Sequence, residues 1–314
     1  MLPTETKLFF IKAAKFILII IVVDFVLGLF SNHIFQSQKT GQYARINYIA
    51  KDTTAKVIIT GSSHAIKHYV PEVFDSVLGN ETYNAGANGQ KLIYAYAIQK
   101  IILKKRAPEL IILNIDEDWL YTSDIAYKRF SVLYPFYDEH KDILKPILDL
   151  ESKFNNYKLL LNSYRNNSTI VHIIKYFLIP QKDYKGYMPL YSTMDKSIKS
   201  SDVHLRGEYT SEEVDPNFVL ILENLISSAK DKNVRLLFVI SPKFTKVNLT
   251  ENKSYNQILE IVEKRKVTLY DFQNDSIFTG KHELFYDATH LNDKGARLFS
   301  TKLAEKIVAH PIKN

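Results

Sequence analysis

Residues 56–64, KVIITGSSH, are the stretch from which the fold can be read. Lys56–Thr60 is a compact, β-branched run that halts at Gly61, the pattern of a buried strand feeding a turn. The same grammar recurs outward from it. Glu81–Asn84 is a shorter strand candidate stopped by Ala85-Gly86, residues 90–104 carry helical periodicity, and Leu110–Ile115 (LIILNI) is a third strand. After a long interruption, residues 216–230 form a helix opened by Asp215 as cap with Pro216 at its first position. Val234–Ile240 ends at Ser241-Pro242, residues 254–265 are helical, Val267–Phe272 is a fifth strand, and residues 292–309 close the chain as an amphipathic helix. Strands alternating with helices imply βαβ units and a parallel sheet covered on both faces. With right-handed crossovers, the expected fold class is α/β: a flavodoxin-like three-layer α/β/α sandwich on a five-stranded parallel sheet.

Residues 120–213 break this rhythm. They hold helical pieces, Lys141–Leu150 and Ser168–Leu178, many tyrosines, and a polar section from Gln181 to Asp202. They read as an insertion between the third and fourth strands, its tyrosines packing rather than stacking on sugar rings.

The amino terminus supplies the address. Leu8–Phe30 is interrupted only by Lys12, Lys15 and Asp24, and 23 residues at 1.5 Å each make a helix of about 34 Å, enough to cross a bilayer core. Lys7, Lys12 and Lys15 lie on its amino-terminal side, which puts that end in the cytoplasm and everything after Ser31 outside. No A-x-A-like cleavage site follows, so an anchor is favoured over a removed signal peptide or a core helix. Asp24 either faces another membrane protein or sits inert near the outer interface. The expected organisation is 1–7 cytoplasmic tail, 8–30 transmembrane anchor in membrane lipid, 31–53 tether, and 54–314 as one domain carrying the insertion at about 120–213.

Composition narrows the function. The 314 residues are 46% hydrophobic and 24% charged, which excludes a disordered or collagen-like chain. Zero cysteines exclude a thiolate nucleophile and cysteine-held metal. The net charge of +7 comes without any lysine-arginine block, so nucleic acid is not an expected partner. His68, His282, Glu283 and His290 lack compact ligand spacing, and neither metal nor cofactor is expected.

In an open parallel sheet, ligands bind beyond the carboxyl ends of the strands. Three features fall there: Gly61-Ser62-Ser63-His64, Asn84-Ala85-Gly86-Ala87-Asn88-Gly89, and Asp287-Ala288-Thr289-His290-Leu291-Asn292. A catalytic serine needs an imidazole to take its proton and a carboxylate to orient that imidazole. An Asp three residues before a His can put both on one turn, and Ser63 at a strand-to-helix turn can use its own N–H on a developing oxyanion. Each feature alone has a plain alternative: Ser62-Ser63 as a helix cap, and a chance Asp-His spacing. His64 reads as a half-exposed turn histidine, Asp116–Asp118 as a solvated loop, and Trp119 and Tyr121 equally as a sugar platform or as core.

The three blocks together resemble the SGNH/GDSL hydrolase superfamily. Gly61-Ser62-Ser63 resembles its first block, with Ser63 at the nucleophile. Asn84–Gly89 resembles the second, which makes Gly89 the implied oxyanion donor, and Asp287 with His290 in DATHLND resembles the last, including Leu291-Asn292 and Gly295. The resemblance covers roughly residues 54–115 and 216–309. Two positions depart from it: Ser62 stands where Asp is usual, and Asn114-Ile115-Asp116-Glu117-Asp118 offers acidic residues where an oxyanion-donating asparagine is expected. Asn114 falls too early, inside the strand, and Asn88 is a substitute candidate. The GSSH block, the single anchor and Asp24 look like the membrane-anchored branch that serves extracytoplasmic acylation, of alginate O-acetylation and teichoic acid D-alanylation type. That likeness implies a serine esterase or O-acyltransferase acting on acyl, expectedly acetyl, esters of a cell-surface glycan, partnered by a multispanning membrane acyltransferase. Two rivals stand beside it: a catalytically weak glycan-binding or assembly partner, and a phosphate-binding protein using Gly61–His64 as an anion nest.

Overall fold

The computed structural model describes residues 3–166, 170–179, 181, 184–199 and 207–312. In chain order its elements are α1 (Thr4–Gln36), α2 (Gly41–Lys51), β1 (Val57–Thr60), α3 (Ser63–His68), α4 (Pro71–Leu78), β2 (Thr82–Asn84), α5 (Leu92–Lys105), β3 (Leu110–Asn114) and α6 (Asp124–Arg129). Then come α7 (Lys141–Glu151), α8 (Phe154–Lys158), α9 (Ile170–Leu178), α10 (Pro216–Lys230), β4 (Arg235–Ile240), α11 (Lys253–Arg265), β5 (Thr268–Asp271) and α12 (Asp293–Ala309). The chain divides into two units. One holds residues 40–130 and 181–314, the other residues 1–39 and 131–180.

The larger unit is the sheet domain. Its five strands run parallel in the order β2-β1-β3-β4-β5, with Ile59 opposite Ile112 and Ile112 opposite Leu237. β2 lies on one side of β1, and β3, β4 and β5 follow in turn on the other, the flavodoxin-like order expected from the sequence. β1 and β3 are buried at every position, which is why they read as continuous Val, Ile and Leu runs instead of alternating. Ile59, Ile112, Leu237, Phe278, Phe299 and Leu303 belong to one core cluster between the sheet and α12. The start and end of α10 follow the sequence reading: the Asp215 carboxylate accepts from the Asn217 N–H at 2.8 Å and Pro216 opens the first turn.

Gly295 shows why the last block holds a glycine in the first turn of α12. A Cβ there would lie 2.1 Å from the carbonyl oxygen of Leu284, which already accepts the Asn292 N–H. Gly→Ala inside a helix ordinarily gains up to about 1 kcal/mol. Here the clash is with backbone, and overpacking costs about 1–3 kcal/mol. Gly295→Ala is therefore expected to lower the thermal midpoint by several degrees, and an unchanged or raised midpoint by calorimetry would refute the close approach.

Two parts of the sequence reading need correction. Residues 31–53 are not a tether. α1 continues to Gln36, and α2 buries Tyr43, Ile46, Ile49 and Ala50 and packs against α5 of the sheet domain. Nor is 120–213 a single insertion. Its flanks belong to the sheet domain: Tyr121 bridges Val214, and the Asn84 N–H donates to the Lys185 carbonyl at 2.9 Å. Residues 131–180 group instead with the amino terminus. Ser168 and Thr169, which open the helical piece read at 168–178, lie outside the described residues, as do residues 200–206.

In the smaller unit α1 is 33 residues long, about 50 Å. From Leu8 to Phe30 its large apolar side chains are exposed, so it is not a core helix of this chain. Its carboxy-terminal part is held by Asn162, Ser163, Asn166 and Ile173. The Asn162 and Ser163 N–H groups donate to the Asp24 carboxylate at 2.8 and 3.0 Å, and the Ser163 hydroxyl and Asn162 amide add two more bonds. A Cβ at Gly28 would lie 2.2 Å from that of Asn162, so the glycine lets the segment close on the helix. Toward the carboxy-terminal end of the helix, Asn166 donates to Ser31 at 3.1 Å, and Gln38 to the Ile173 carbonyl at 2.9 Å. Asp24 thus finds its partners in its own chain. Neither sequence alternative foresaw that.

Candidate active site

The carboxyl ends of β1 and β3, the loop after β2, and the loop before α12 meet around a cleft of about 650 Å³ in the sheet domain. Ser63, His290 and Gly89 all line it. Gly61, at φ 149°, turns the chain sharply out of β1, and its missing side chain accommodates Asn114, whose carbonyl oxygen would lie 2.8 Å from a Cβ. Ser62 then caps α3, its hydroxyl accepting the His64 N–H at 3.2 Å. That leaves Ser63, the first residue of α3, free to face His290.

The Ser63 hydroxyl lies 2.9 Å from His290 Nε2, although 227 residues separate them in the chain. On the other side of the ring, Nδ1 donates to Asp287, 3.0 Å from Oδ2 and 3.1 Å from Oδ1. Asp287 also accepts from the N–H groups of Thr289 and His290, each at 2.8 Å. Burial pushes the Asp287 carboxyl up, but these bonds and the His290 ring prevail and hold it well below the usual carboxylate range. Its charge fixes Nδ1–H toward itself and leaves Nε2 as the acceptor facing Ser63. Behind the loop, buried His68 accepts the Leu291 N–H on its own Nε2 at 3.0 Å, and burial pushes its pKa well down, so it is a neutral brace. His68 carried no sequence signal beyond a loose metal reading. It binds this loop, while His282 bonds the Ile198 carbonyl at 2.6 Å.

The acidic run after β3 is where the structure departs most from the sequence reading. Asp116–Asp118 do not form a solvated loop. They line the cleft, each paired with a cation: Asp116 with His64 at 2.8 Å, Glu117 with Lys243, and Asp118 with Lys91 at 3.1 Å. His64 is correspondingly not a half-exposed turn residue; only 12% of its side chain is exposed. Burial disfavours its charge, but contact with Asp116 outweighs that and raises its pKa above the ordinary histidine value. Burial likewise opposes charge on Asp116, and His64, Lys243 and Lys91 overcome it and depress its pKa. The second Asp116 oxygen accepts from the Ser62 hydroxyl at 3.2 Å and the Trp119 indole at 3.1 Å. Ser62, the departure in the first block, and Asp116, the departure in the third, are thus bonded to each other. Trp119 is 2% exposed and tied to Asp116, and Tyr121 is 4% exposed, so neither offers an open platform.

The remaining candidates separate cleanly. Gly89 sits at φ 66° on the cleft wall, its carbonyl accepting from Arg129 at 2.9 Å while Arg129 also pairs with Glu208. Asn88 is exposed and does not line the cleft, which removes it as the substitute amide. Asn114 is fully buried and spends its amide on the Val239 carbonyl and the Ser241 hydroxyl, inside the strand as its position implied.

A parallel five-stranded sheet with a serine, an imidazole and a carboxylate in hydrogen-bonded line at its carboxyl ends defines a class: α/β proteins with a serine–histidine–aspartate relay, arranged for attack on an acyl carbonyl. No protein-family model matches the sequence, and no curated protein matches it. Similar solved structures include one from Desulfitobacterium hafniense described as a lipolytic protein of the G-D-S-L family, with 10% identity, TM-score 0.41, covering 79% of this chain and 97% of that one. An acetyl xylan esterase shows 13% identity and TM-score 0.42 over 82% of this chain and 99% of its own. An SGNH-hydrolase family esterase shows 10% identity and TM-score 0.35 over 83% and 99%. At such distances, what the site does has to follow from its own residues.

Proposed function

We propose that this chain is a membrane-anchored serine esterase or O-acyltransferase of the SGNH/GDSL type, acting on acyl esters of a polyhydroxylated substrate such as a cell-surface glycan. The observation that carries the reading is the 2.9 Å approach of the Ser63 hydroxyl to His290 Nε2, with Asp287 bonded behind the ring. Ser63 Oγ attacks the acyl carbonyl as His290 takes its proton. The tetrahedral intermediate collapses, and His290 hands that proton to the departing alkoxide, leaving an acyl-serine. Water or an acceptor hydroxyl then attacks the acyl-serine, its proton passing through His290 back to Ser63. The N–H groups of Ser63 and Gly89 are the backbone donors to the oxyanion.

His64 takes the place of the absent asparagine. Its Nδ1 is engaged by Asp116, the ring lines the cleft with its centroid 5.6 Å from that of His290, and among the described residues nothing bonds to its Nε2. An imidazolium N–H there supplies the third hydrogen bond that a carboxylate could not. The charged groups around the cleft pair off: His64, Lys91, Lys243 and Arg129 with Asp116, Asp118, Glu117 and Glu208. Among the described residues that line the cleft, no formal charge is left unpaired for a strongly ionic substrate, which supports a neutral, hydroxyl-rich one. The apolar, exposed α1 supports anchoring, with Lys7, Lys12 and Lys15 on the cytoplasmic side and the sheet domain outside.

The reading is tested with a fluorophosphonate probe on full-length protein. Covalent labelling is expected at Ser63, lost in His290→Ala. Well-folded wild type that takes no label would favour a binding or assembly role. Whether a multispanning acyltransferase supplies the acyl group is tested separately, by co-purification from membranes.

A further inference from the structure

We infer that residues 154–166 and 170–179 are themselves membrane elements, a loop and a helix seated in the outer leaflet against α1. The inference rests on reading α1 as a membrane span, and extends it to a segment far away in sequence.

Depth is set by hydrogen bonds within the smaller unit. Asp24 lies six residues before Phe30, about 9 Å below the outer end of the apolar stretch. Its carboxylate is bonded by the backbone of Asn162 and Ser163. Those residues are therefore held at that depth, and the chain climbs from there beside α1, past Ser31 at Asn166 to Gln38 at Ile173. A carboxylate within the hydrocarbon region costs roughly 2.5–3.5 kcal/mol, so it normally faces a partner. The segment supplies four such bonds.

The surfaces on either side of that contact are apolar where a water-facing helix would be polar. Before it, Phe154, Tyr157, Leu160 and Leu161 are each at least half exposed, with Lys153 and Lys158 long enough to reach the headgroups. After it, α9 buries Ile173 while Val171, Ile174 and Leu178, at helical spacing, face outward. An exposed apolar face continuous with a membrane span, mixed with tyrosine and lysine, has the composition of an interfacial helix. Its occupant is lipid: acyl chains around 154–162 and the headgroup boundary along α9.

The cysteine-free chain allows each position to carry a single spin label. Full-length Leu161→Cys, Leu178→Cys, Ile19→Cys and Leu220→Cys proteins would be labelled in nanodiscs of phosphatidylcholine with a minority of phosphatidylglycerol. Collision with oxygen would be compared with collision with a water-soluble nickel chelate. Ile19 lies in α1, and Leu220 is an exposed apolar residue of the sheet domain. The labels at 161 and 178 are expected to favour oxygen over nickel several-fold relative to 220, with 161 deeper than 178. If 19 reports lipid while 161 and 178 report water, the segment is not membrane-seated although the anchor stands. If 161 and 178 are shielded from both reagents, a protein surface covers them and the lipid assignment falls. If 19 itself reports water, the anchor reading fails first.

Discussion

Ser63→Ala is expected to remove nearly all acyl-ester turnover, by about 10⁴–10⁶ in kcat, because serine and imidazole act as one unit and loss of either disables both. The fold should not suffer. The cap of α3 is the hydroxyl of Ser62, whereas that of Ser63 bonds, among the described residues, only to His290, so stability should stay within about 0.5 kcal/mol of wild type. Acetyl-ester hydrolysis and a thermal melt on the same preparation decide it. A folded variant slowed by less than about tenfold would remove Ser63 from the chemistry. Residual activity in Ser63→Ala and in Ser63→Ala/His290→Ala should be alike, since the second change has nothing left to take away.

His64→Phe is expected to cost about 10²–10³ in kcat with little change in KM, the size typical of one lost oxyanion donor. His64→Gln, which keeps an N–H donor, should recover part of it. Asp116→Asn tests the same idea through charge. In wild type the His64 pKa is raised, so its positive charge, and the stability drawn from its pairing, persist below that value and are lost as pH rises through it. The depressed Asp116 gives the opposite limb: its contribution is present above about 3.9, the unfolded value, and disappears as pH falls toward the folded one. Without the Asp116 carboxylate, burial and the Lys243 charge oppose the His64 charge with only Glu117 left to favour it, so its titration by imidazole NMR should move downward, and the alkaline limb of kcat should move with it. An unmoved titration would mean that Asp116 does not hold the charge. If the titration moves and kcat does not, His64 is not the donor.

How far the sequence could be read depended on distance along the chain. β1, β3 and β4 were legible because burial on both faces forces uninterrupted Ile, Leu and Val, and Gly61 and Asp215 mark their neighbouring turns by local chemistry. Asp287 and His290 were legible as a pair because they share one turn. The His64–Asp116 contact was not. It joins residues 52 apart, each ordinary by itself, and an acidic run at a strand end looks like solvent-facing charge until Lys91 and Lys243 are seen folded onto it. The smaller unit was illegible for the same reason, since nothing near Asn162 announces an aspartate 138 residues earlier. α2 was misread because Tyr43, Ile46 and Ile49 are spaced among polar residues that suggested a tether.

The bonding of Asp24 to Asn162 and Ser163 bears on how the protein can be handled. Trimming the chain at Thr40 to obtain a soluble enzyme would delete the helix that residues 131–180 pack against, leaving Ile173, Asn166 and the apolar outer face with no host. Such a shortened product should aggregate through that orphaned surface even with its sheet intact. Removing 131–180 along with residues 1–39 is the cut that follows where one unit stops and the other begins.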